Sequence, residues 1–234
     1  MGVRSSLKGA WRIYREHGLR AVLQQSHARL LHDLPLSRRL HAAGSFTYQG
    51  RRYPWFHHPY NRTWYNERAV EVAVIGELLA TPGRILEVGN VLSHYFPQNH
   101  DVIDKYEAGP GVVNVDVAEF TPSAPYDLVV SISTFEHVGF DEPEPDPEKA
   151  PRALARALTW LAPGGRLVVT LPLGYNPQLD AWLLAGETPF DTLTWYRRRP
   201  WNRWVETTGQ KAVAAGYDHA RQRANGLLIA EATR

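Results

Sequence analysis

Between Arg84 and the carboxyl terminus, short apolar runs alternate with stretches of helical periodicity, and this alternation constrains the fold more than any other feature. The runs YDLVVSI (126–132) and RLVVTL (166–171) are apolar almost without interruption, which is typical of central parallel strands covered on both faces. Helices that connect parallel strands cross over the sheet and cover those faces. The sequence therefore predicts a doubly wound α/β sheet.

The same periodicities place the individual elements along the chain. Predicted strands lie at 84–89, 101–105, 112–116, 126–132, 166–171, 192–198 and 226–232, and predicted helices at 67–80, 147–161 and 177–186. The APGG stretch at 162–165 is expected to stop the second of these helices and to turn the chain into the next strand. We interpret residues 46–234 as one α/β domain.

Composition narrows the class of protein without identifying it. The 234 residues are 44% hydrophobic and 21% charged, with a net charge of +2, so charge gives no argument for nucleic-acid binding. Cysteine is absent, which excludes disulfides, thiolate zinc sites and cysteine nucleophiles. No apolar run approaches the ~20 residues that span a bilayer, and there is no secretory signal. We therefore expect a cytoplasmic protein.

Residues 1–45 form a basic arm before the domain. A helix at 19–34 would place Leu19, Leu23 and Leu30 on one side. The basic residues of the arm are Lys8, Arg12, Arg15, Arg29, Arg38 and Arg39. One interpretation is an interfacial helix that contacts anionic lipid at a membrane surface. The alternative, which we favour, is a helix packed against its own domain.

Acidic residues end three consecutive predicted strands, where ligands bind in a doubly wound sheet. The first strand ends in EVGN, whose acid is Glu87. Gly89 in this stretch permits a tight turn with the backbone close to a ligand. Asp104 ends the second strand, where a carboxylate accepts hydrogen bonds from ribose hydroxyls. Asp116 ends the third strand, where a carboxylate can accept from the amino group of an adenine. Each acid alone is weak evidence, but three together indicate a nucleoside site.

Three motifs in this order resemble those of the class I S-adenosylmethionine-dependent methyltransferases, in particular the small-molecule branch. They are ILEVG, YDLVVSISTFEHV and LAPGGRLVVTLP, and the resemblance covers about Arg84 to Leu171. It implies S-adenosyl-L-methionine as cofactor and a seven-stranded sheet whose last strand, GLLIAEAT, is antiparallel.

The resemblance also implies roles for individual residues. Glu87 and Gly89 match positions near the methionine part of the cofactor, Asp104 matches the ribose position, and Asp116 with Val117 borders the adenine. Lys105 and Ser133, beside the second and fourth strand ends, are further candidate cofactor-binding residues.

The first motif departs from the family at its glycines. Acid-x-Gly-x-Gly-x-Gly is common there, whereas this chain has Val91 and Ser93 at the second and third glycine positions. Asn90 and Ser93 are therefore expected to offer side-chain hydrogen bonds to the amino-acid end of the cofactor. Upstream polar groups could assist, and the candidates are Tyr60, Asn61 and Arg68. A fold that has lost its cofactor is the alternative.

The stretch STFEHVGFDE after the fourth strand carries the candidate base. His137 is suited to take a proton from an oxygen nucleophile, because imidazole titrates near pH ~6.5. A packing or capping role for His137 is an equal alternative. Glu136, Asp141, Tyr175 and Asn176 are the candidate substrate contacts. His137, Asp141 and Glu142 together could hold a divalent cation, but an acidic surface loop is the better explanation, so no metal is predicted.

These features predict methyl transfer to a small-molecule or lipid-linked acceptor, most plausibly a hydroxyl of a sugar, or a carboxylate. The aromatic segment 46–66 and the insertion 174–204 are expected to shape the acceptor pocket. No nucleic-acid substrate is expected, because STFE replaces the motif used for amino methylation of bases and cysteine is absent. Peripheral membrane contact would use residues 1–45. A non-catalytic binding or scaffold protein on the same fold is the rival hypothesis.

Overall fold

The computed structural model describes residues 41–234. The predicted basic arm therefore lies outside the described residues, except for its last five positions. In the part that is described, no helix is long and apolar enough to cross a membrane.

The described chain contains β-strands, α-helices and short 3-10 turns, and the strands and helices are numbered separately in chain order. The strands are β1 (Ser45–Tyr48), β2 (Arg51–Pro54), β3 (Ile85–Val88), β4 (Asp101–Asp104), β5 (Val112–Asn114), β6 (Tyr126–Ile132), β7 (Leu161–Leu173), β8 (Thr192–Arg199), β9 (Arg203–Thr207), β10 (Tyr217–Asp218), β11 (Arg223–Ala224) and β12 (Gly226–Thr233). The helices are α1 (Arg68–Leu78), α2 (Lys149–Thr159), α3 (Pro177–Ala185) and α4 (Gly209–Val213).

One 8-stranded sheet with the order β5-β4-β3-β6-β7-β12-β8-β9 forms the centre of the molecule. The strands from β5 to β7 pair in parallel, whereas β12 lies antiparallel between β7 and β8. The chain runs outward from β3 to β5 and then returns to the other side of β3 with β6. This reversal opens a crevice at the carboxyl ends of β3 and β6, which is where ligands bind in such sheets.

Helices cover both faces of the sheet and bury two apolar cores. On one face, α1 and the β1–β2 hairpin pack on the sheet through residues such as Ile75 and Phe46. On the other face, α2, α3 and α4 contribute Leu154, Leu183 and Ala212 to the second core. The predicted doubly wound sheet with an antiparallel last strand is confirmed.

Several element boundaries differ from the prediction. β7 begins at Leu161, so the APGG stretch lies inside the strand, because Leu161 pairs with Tyr126 before a register shift. β5 ends at Asn114, which leaves Asp116 in the following loop. β9 adds an eighth strand to the predicted seven through antiparallel pairing with β8.

The aromatic segment 46–66 contributes largely to the core. Phe46 stacks on Tyr53 and Trp55, with ring centroids 5.6 and 5.0 Å apart, and all three side chains are buried. These rings therefore stabilise the hairpin against the sheet, and they do not border the crevice at the strand ends.

Candidate active site

A cleft of about 220 Å³ occupies the crevice at the carboxyl ends of β3, β4 and β6. Eight of the thirteen predicted catalytic and cofactor-binding residues border it: Gly89, Asn90, Asp104, Lys105, Asp116, Val117, Ser133 and His137. Residues that the sequence argument did not select also border it, and they include Val91, Tyr106, Glu107, Thr134, Val138 and Glu142. Asp104, Asp116 and the candidate base His137 are thus brought to one site.

Gly89 is required where the chain leaves β3. Its φ is +87°, and a Cβ atom there would lie 2.0 Å from Oγ1 of Thr134. Both the left-handed backbone and the close approach of the loop after β6 exclude a side chain. At Gly89 the cleft is therefore bordered by backbone atoms without a side chain.

Glu87 holds the loop that replaces the missing glycines. Its side chain is fully buried, and Oε1 accepts hydrogen bonds from the backbone N–H groups of Val91 and Leu92 at 2.9 and 2.8 Å. Oε2 lies 3.0 Å from Nε2 of His100. Glu87 does not border the cleft, so its observed contribution is to fix the backbone of the loop.

Asp104, at the end of the neighbouring strand β4, stabilises the same loop. Its Oδ2 accepts from the backbone N–H of Asn90 at 3.0 Å, and its Oδ1 accepts from the N–H groups of Tyr106 and Glu107. A carboxylate oxygen has about two acceptor positions, so Oδ2 retains capacity for a ligand hydroxyl.

Asn90 and Ser93 bond to protein groups in this structure. Oγ of Ser93 donates to Oδ1 of Asn90 at 2.5 Å, and Nδ2 of Asn90 donates to Glu107 at 2.9 Å. Asn90 borders the cleft. Their predicted hydrogen bonds to the amino-acid end of a cofactor stay a prediction.

Asp116, in the loop after β5, belongs to an ion cluster at the border of the cleft. Its Oδ2 lies 2.8 Å from Nζ of Lys105 and 2.7 Å from Nζ of Lys149. Oε1 of Glu142 lies 3.0 Å from Nζ of Lys105 and 2.6 Å from Nζ of Lys149. Although burial opposes it, hydrogen bonds from the two lysines lower the pKa of Asp116 to about 2. This carboxylate is therefore ionised and keeps one acceptor position on Oδ1, which also accepts from the N–H of Ala118.

Arg68 and Ser133 join α1 to the loop after β6. Arg68 donates to Oγ of Ser133 at 2.7 Å and is ion-paired with the fully buried Glu71. Ser133 donates to Glu71 at 2.6 Å, and Thr170 donates to the same oxygen at 2.7 Å. This network fixes the edge of the cleft near Gly89.

The upstream residues Tyr60 and Asn61 lie outside the border of the cleft. The ring of Tyr60 stacks on that of His94 with centroids 4.5 Å apart. Nε2 of His94 lies 3.1 Å from Oε1 of Glu107. Asn61 adopts a left-handed backbone conformation with φ 52° and accepts from Asn66 through its carbonyl. Their predicted role as cofactor ligands remains a prediction.

His137 forms a pair with Asp141 at the rim of the cleft. Nδ1 lies 2.5 Å from Oδ2 of Asp141. Because an ionised carboxylate only accepts, this contact requires the proton on Nδ1, and the matching neutral tautomer of the imidazole has its lone pair on Nε2. The hydroxyl of Tyr175 donates to the same oxygen at 2.7 Å. The arrangement is that of a general base oriented by a carboxylate.

The remaining candidate substrate residues surround this pair. Oε1 of Glu136 lies 3.4 Å from Nε2 of His137. Asn176 caps α3 by accepting from the N–H of Leu179 and donates to the carbonyl of Glu136, both at 3.1 Å. Among the described residues, no group of three acidic or imidazole side chains has the geometry of a metal site.

The residues of the cleft fit an adenosyl cofactor. The backbone at Gly89 has no side chain, Asp104 offers an acceptor at the end of β4, and Asp116 offers one in the loop after β5. Apolar side chains that suit an adenine ring come from Ile103, Val117 and Val138. The cleft therefore has the chemistry of a nucleoside site at the switch point of a class I methyltransferase fold.

Residues 65–215 match the methyltransferase domain family, and the chain belongs to that family. It is therefore an S-adenosylmethionine-dependent methyltransferase, as its motifs predicted.

Two of the solved structures that resemble this chain share little sequence with it. One is the N-methyltransferase NodS from Bradyrhizobium japonicum WM9 with S-adenosyl-L-homocysteine, at 14% identity and a TM-score of 0.39, covering 67% of this chain and 81% of that chain. Another is 1,6-didemethyltoxoflavin-N1-methyltransferase from Burkholderia thailandensis, at 17% identity and a TM-score of 0.41, covering 82% and 99%. No curated protein sequence matches the chain.

Proposed function

We propose that the enzyme methylates an oxygen of a small or lipid-linked acceptor, with sugar hydroxyls and carboxylates as the classes to test first. The observation that carries this proposal is the His137–Asp141 pair at the rim of the cleft. A hydroxyl has to lose its proton as it attacks the methyl group, and a carboxylate-held imidazole is suited to take that proton.

The residues of the pair have separate roles in this scheme. Nε2 of His137 takes the proton, because Asp141 binds the proton on Nδ1. Tyr175 donates to Asp141 and so fixes the orientation of the carboxylate. Burial and the hydrogen bond to Asp141 raise the pKa of the Tyr175 phenol, which keeps it a donor. The cofactor supplies the methyl group, and the protein aligns the acceptor with it.

The lipid-linked class of acceptor is supported by the basic arm. Its lysine and arginine residues would be attracted to an anionic membrane surface, where such an acceptor resides. This proposal implies that the enzyme lies in the cytoplasm and contacts the membrane peripherally.

Transfer of labelled methyl from S-adenosylmethionine to a panel of sugars and carboxylic acids tests the proposal. His137→Ala and Asp141→Asn are each expected to lower kcat by about 10²–10⁴-fold on a hydroxyl acceptor, whereas a carboxylate acceptor is already ionised and needs no base. S-adenosylhomocysteine affinity, measured by calorimetry, is expected to stay within about threefold, since neither change removes a cofactor acceptor.

Two results would contradict the proposal. A product methylated on nitrogen or carbon would exclude the oxygen acceptor, and full activity of both variants would exclude His137 as the base. A well-folded wild type that binds no S-adenosylhomocysteine would favour the scaffold hypothesis instead.

A further inference from the structure

Glu136 has a buried carboxyl group that the proposed reaction does not use. Its side chain is 2% exposed, and within the described part of the chain Oε2 has no hydrogen-bond partner. Oε1 lies 3.4 Å from Nε2 of His137, so the group is at the acceptor side of the candidate base. A buried polar atom without a partner is costly, which suggests that a ligand completes its contacts.

The surroundings of Glu136 have an excess of carboxyl groups. Glu67 and Glu71 are both buried nearby, whereas Arg68 is the guanidinium that pairs with Glu71. Glu67 already accepts from the N–H of Ala224 at 3.0 Å. The electrostatic environment therefore favours an additional positive charge at Glu136.

Aromatic rings line the approach to the same point. The ring of Tyr175 lies 4.7 Å from that of His137 and 5.1 Å from that of Tyr217, and Tyr217 lies 5.0 Å from His219. Tyr175 and Tyr217 are partly exposed. The faces of such rings attract organic cations.

We infer that the acceptor carries a protonated amine beside the oxygen that is methylated, and that Glu136 and the rings of Tyr175 and Tyr217 bind this amine. The inference rests on the proposed function, because it describes the acceptor site of that reaction. The class of ligand is thus a small amino alcohol, amino sugar or aminoacyl compound, in contrast to a neutral or anionic acceptor.

Binding of a cation here has a further signature. Burial and the charge of Glu71 raise the pKa of Glu136 well above its usual range, although Arg68 opposes this, so the free protein favours the protonated carboxyl. The other titratable groups that face it are Glu67, His137, Asp141, Tyr175 and Tyr217. An ammonium ion bound to Glu136 favours the ionised carboxylate. Binding should therefore release this proton to the solvent and tighten as the pH rises.

The experiment compares cyclohexylamine with cyclohexanol, which have similar shapes but differ in charge at neutral pH. Affinities are measured by ligand-observed NMR on the full chain saturated with S-adenosylhomocysteine, and proton release by calorimetry in buffers of different ionisation enthalpy. The amine is expected to bind at least about tenfold more tightly than the alcohol and to release close to one proton. Glu136→Gln is expected to abolish both the preference and the proton release.

A second variant keeps the test independent of changes at the buried position. Tyr217→Leu removes a ring but leaves the carboxyl, so the amine should bind severalfold more weakly while proton release persists. Unchanged affinity of both variants for S-adenosylhomocysteine verifies their fold, since neither residue borders the cofactor cleft.

Equal affinities of the two probes, failure of both to bind, or an amine preference retained in Glu136→Gln would overturn the inference. Because no methyl is transferred in this experiment, it is separate from the test of oxygen methylation. An amine preference without any O-methylated product would refute the proposed function and leave only the amine-binding role of Glu136, whereas O-methylation of uncharged acceptors without this preference would refute only the inference.

Discussion

The loop after β3 is held by one glycine and two carboxylates, and each contributes differently. Glu87 binds two backbone N–H groups of the loop, and Asp104 binds a third. These bonds close the loop even though Val91 and Ser93 replace glycines that the family commonly has there. Gly89 alone remains indispensable, because the loop after β6 leaves no space for a side chain.

Gly89→Ala tests this requirement. The left-handed φ of +87° and the contact with Thr134 are together expected to lower the free energy of unfolding by roughly 2–4 kcal/mol. Urea denaturation measures the loss, and calorimetry should show weaker S-adenosylhomocysteine binding. Gly186→Ala is the matched control, because Gly186 has a φ of +77° but nothing within 4 Å of a Cβ atom. A loss in the control equal to that in Gly89→Ala would show that the clash contributes nothing.

At the scale of elements, α3 positions Tyr175 and Asn176 next to the candidate base, and a buried acid ties the helix to β7. Asp180 in the first turn of α3 is 5% exposed and accepts from the N–H of Gly174 at 2.7 Å. Burial raises the pKa of this carboxyl to about 6, against the effect of that hydrogen bond. Between pH ~4 and ~6 the folded state therefore holds a proton that the unfolded chain has released.

Asp180→Asn should remove this pH dependence. The wild type is expected to lose stability, on the order of 2–3 kcal/mol, as the pH rises from about 4 to about 6, and to change little above that. The asparagine variant keeps an acceptor for Gly174 without a charge, so it should be more stable than the wild type at pH 8. Asp191→Asn is the control, since Asp191 accepts from the N–H of Thr233 at 2.8 Å but is exposed. Parallel pH profiles of the wild type and Asp180→Asn would contradict the argument.

Elements with strong local signals were predictable from the sequence, whereas elements defined by long-range pairing were not. The apolar runs of β6 and β7 indicated central strands because burial on both faces requires them. β9 was missed, since RWVET carries no such run and becomes a strand only by pairing with β8. Two of the three strand-end acids, Asp104 and Asp116, were found at the cleft. The sequence could not show that Lys149, a distant helix residue, pairs with Asp116.

At the scale of the whole molecule, we propose that the α/β domain and the basic arm contribute separately to the choice of acceptor. In this proposal the cleft and the pair at its rim determine what is methylated, and the arm determines where. A net charge of only +2 gives no general attraction to anionic surfaces. In this proposal, membrane affinity therefore depends on where along the chain the positive charges lie.

Neutralising part of the arm tests that dependence. Changing Lys8, Arg12 and Arg15 to Gln should weaken binding of the full chain to phosphatidylglycerol vesicles by at least about tenfold, because each basic residue near the surface contributes roughly 1 kcal/mol. Co-sedimentation measures the bound fraction, and neutral phosphatidylcholine vesicles should bind neither protein. The matched control changes Arg197, Arg199 and Arg203, which are exposed at the sheet edge, and should retain most of the binding. If the two triple variants bind equally, the arm has no special role, and a lipid-linked acceptor loses its support while a soluble acceptor does not.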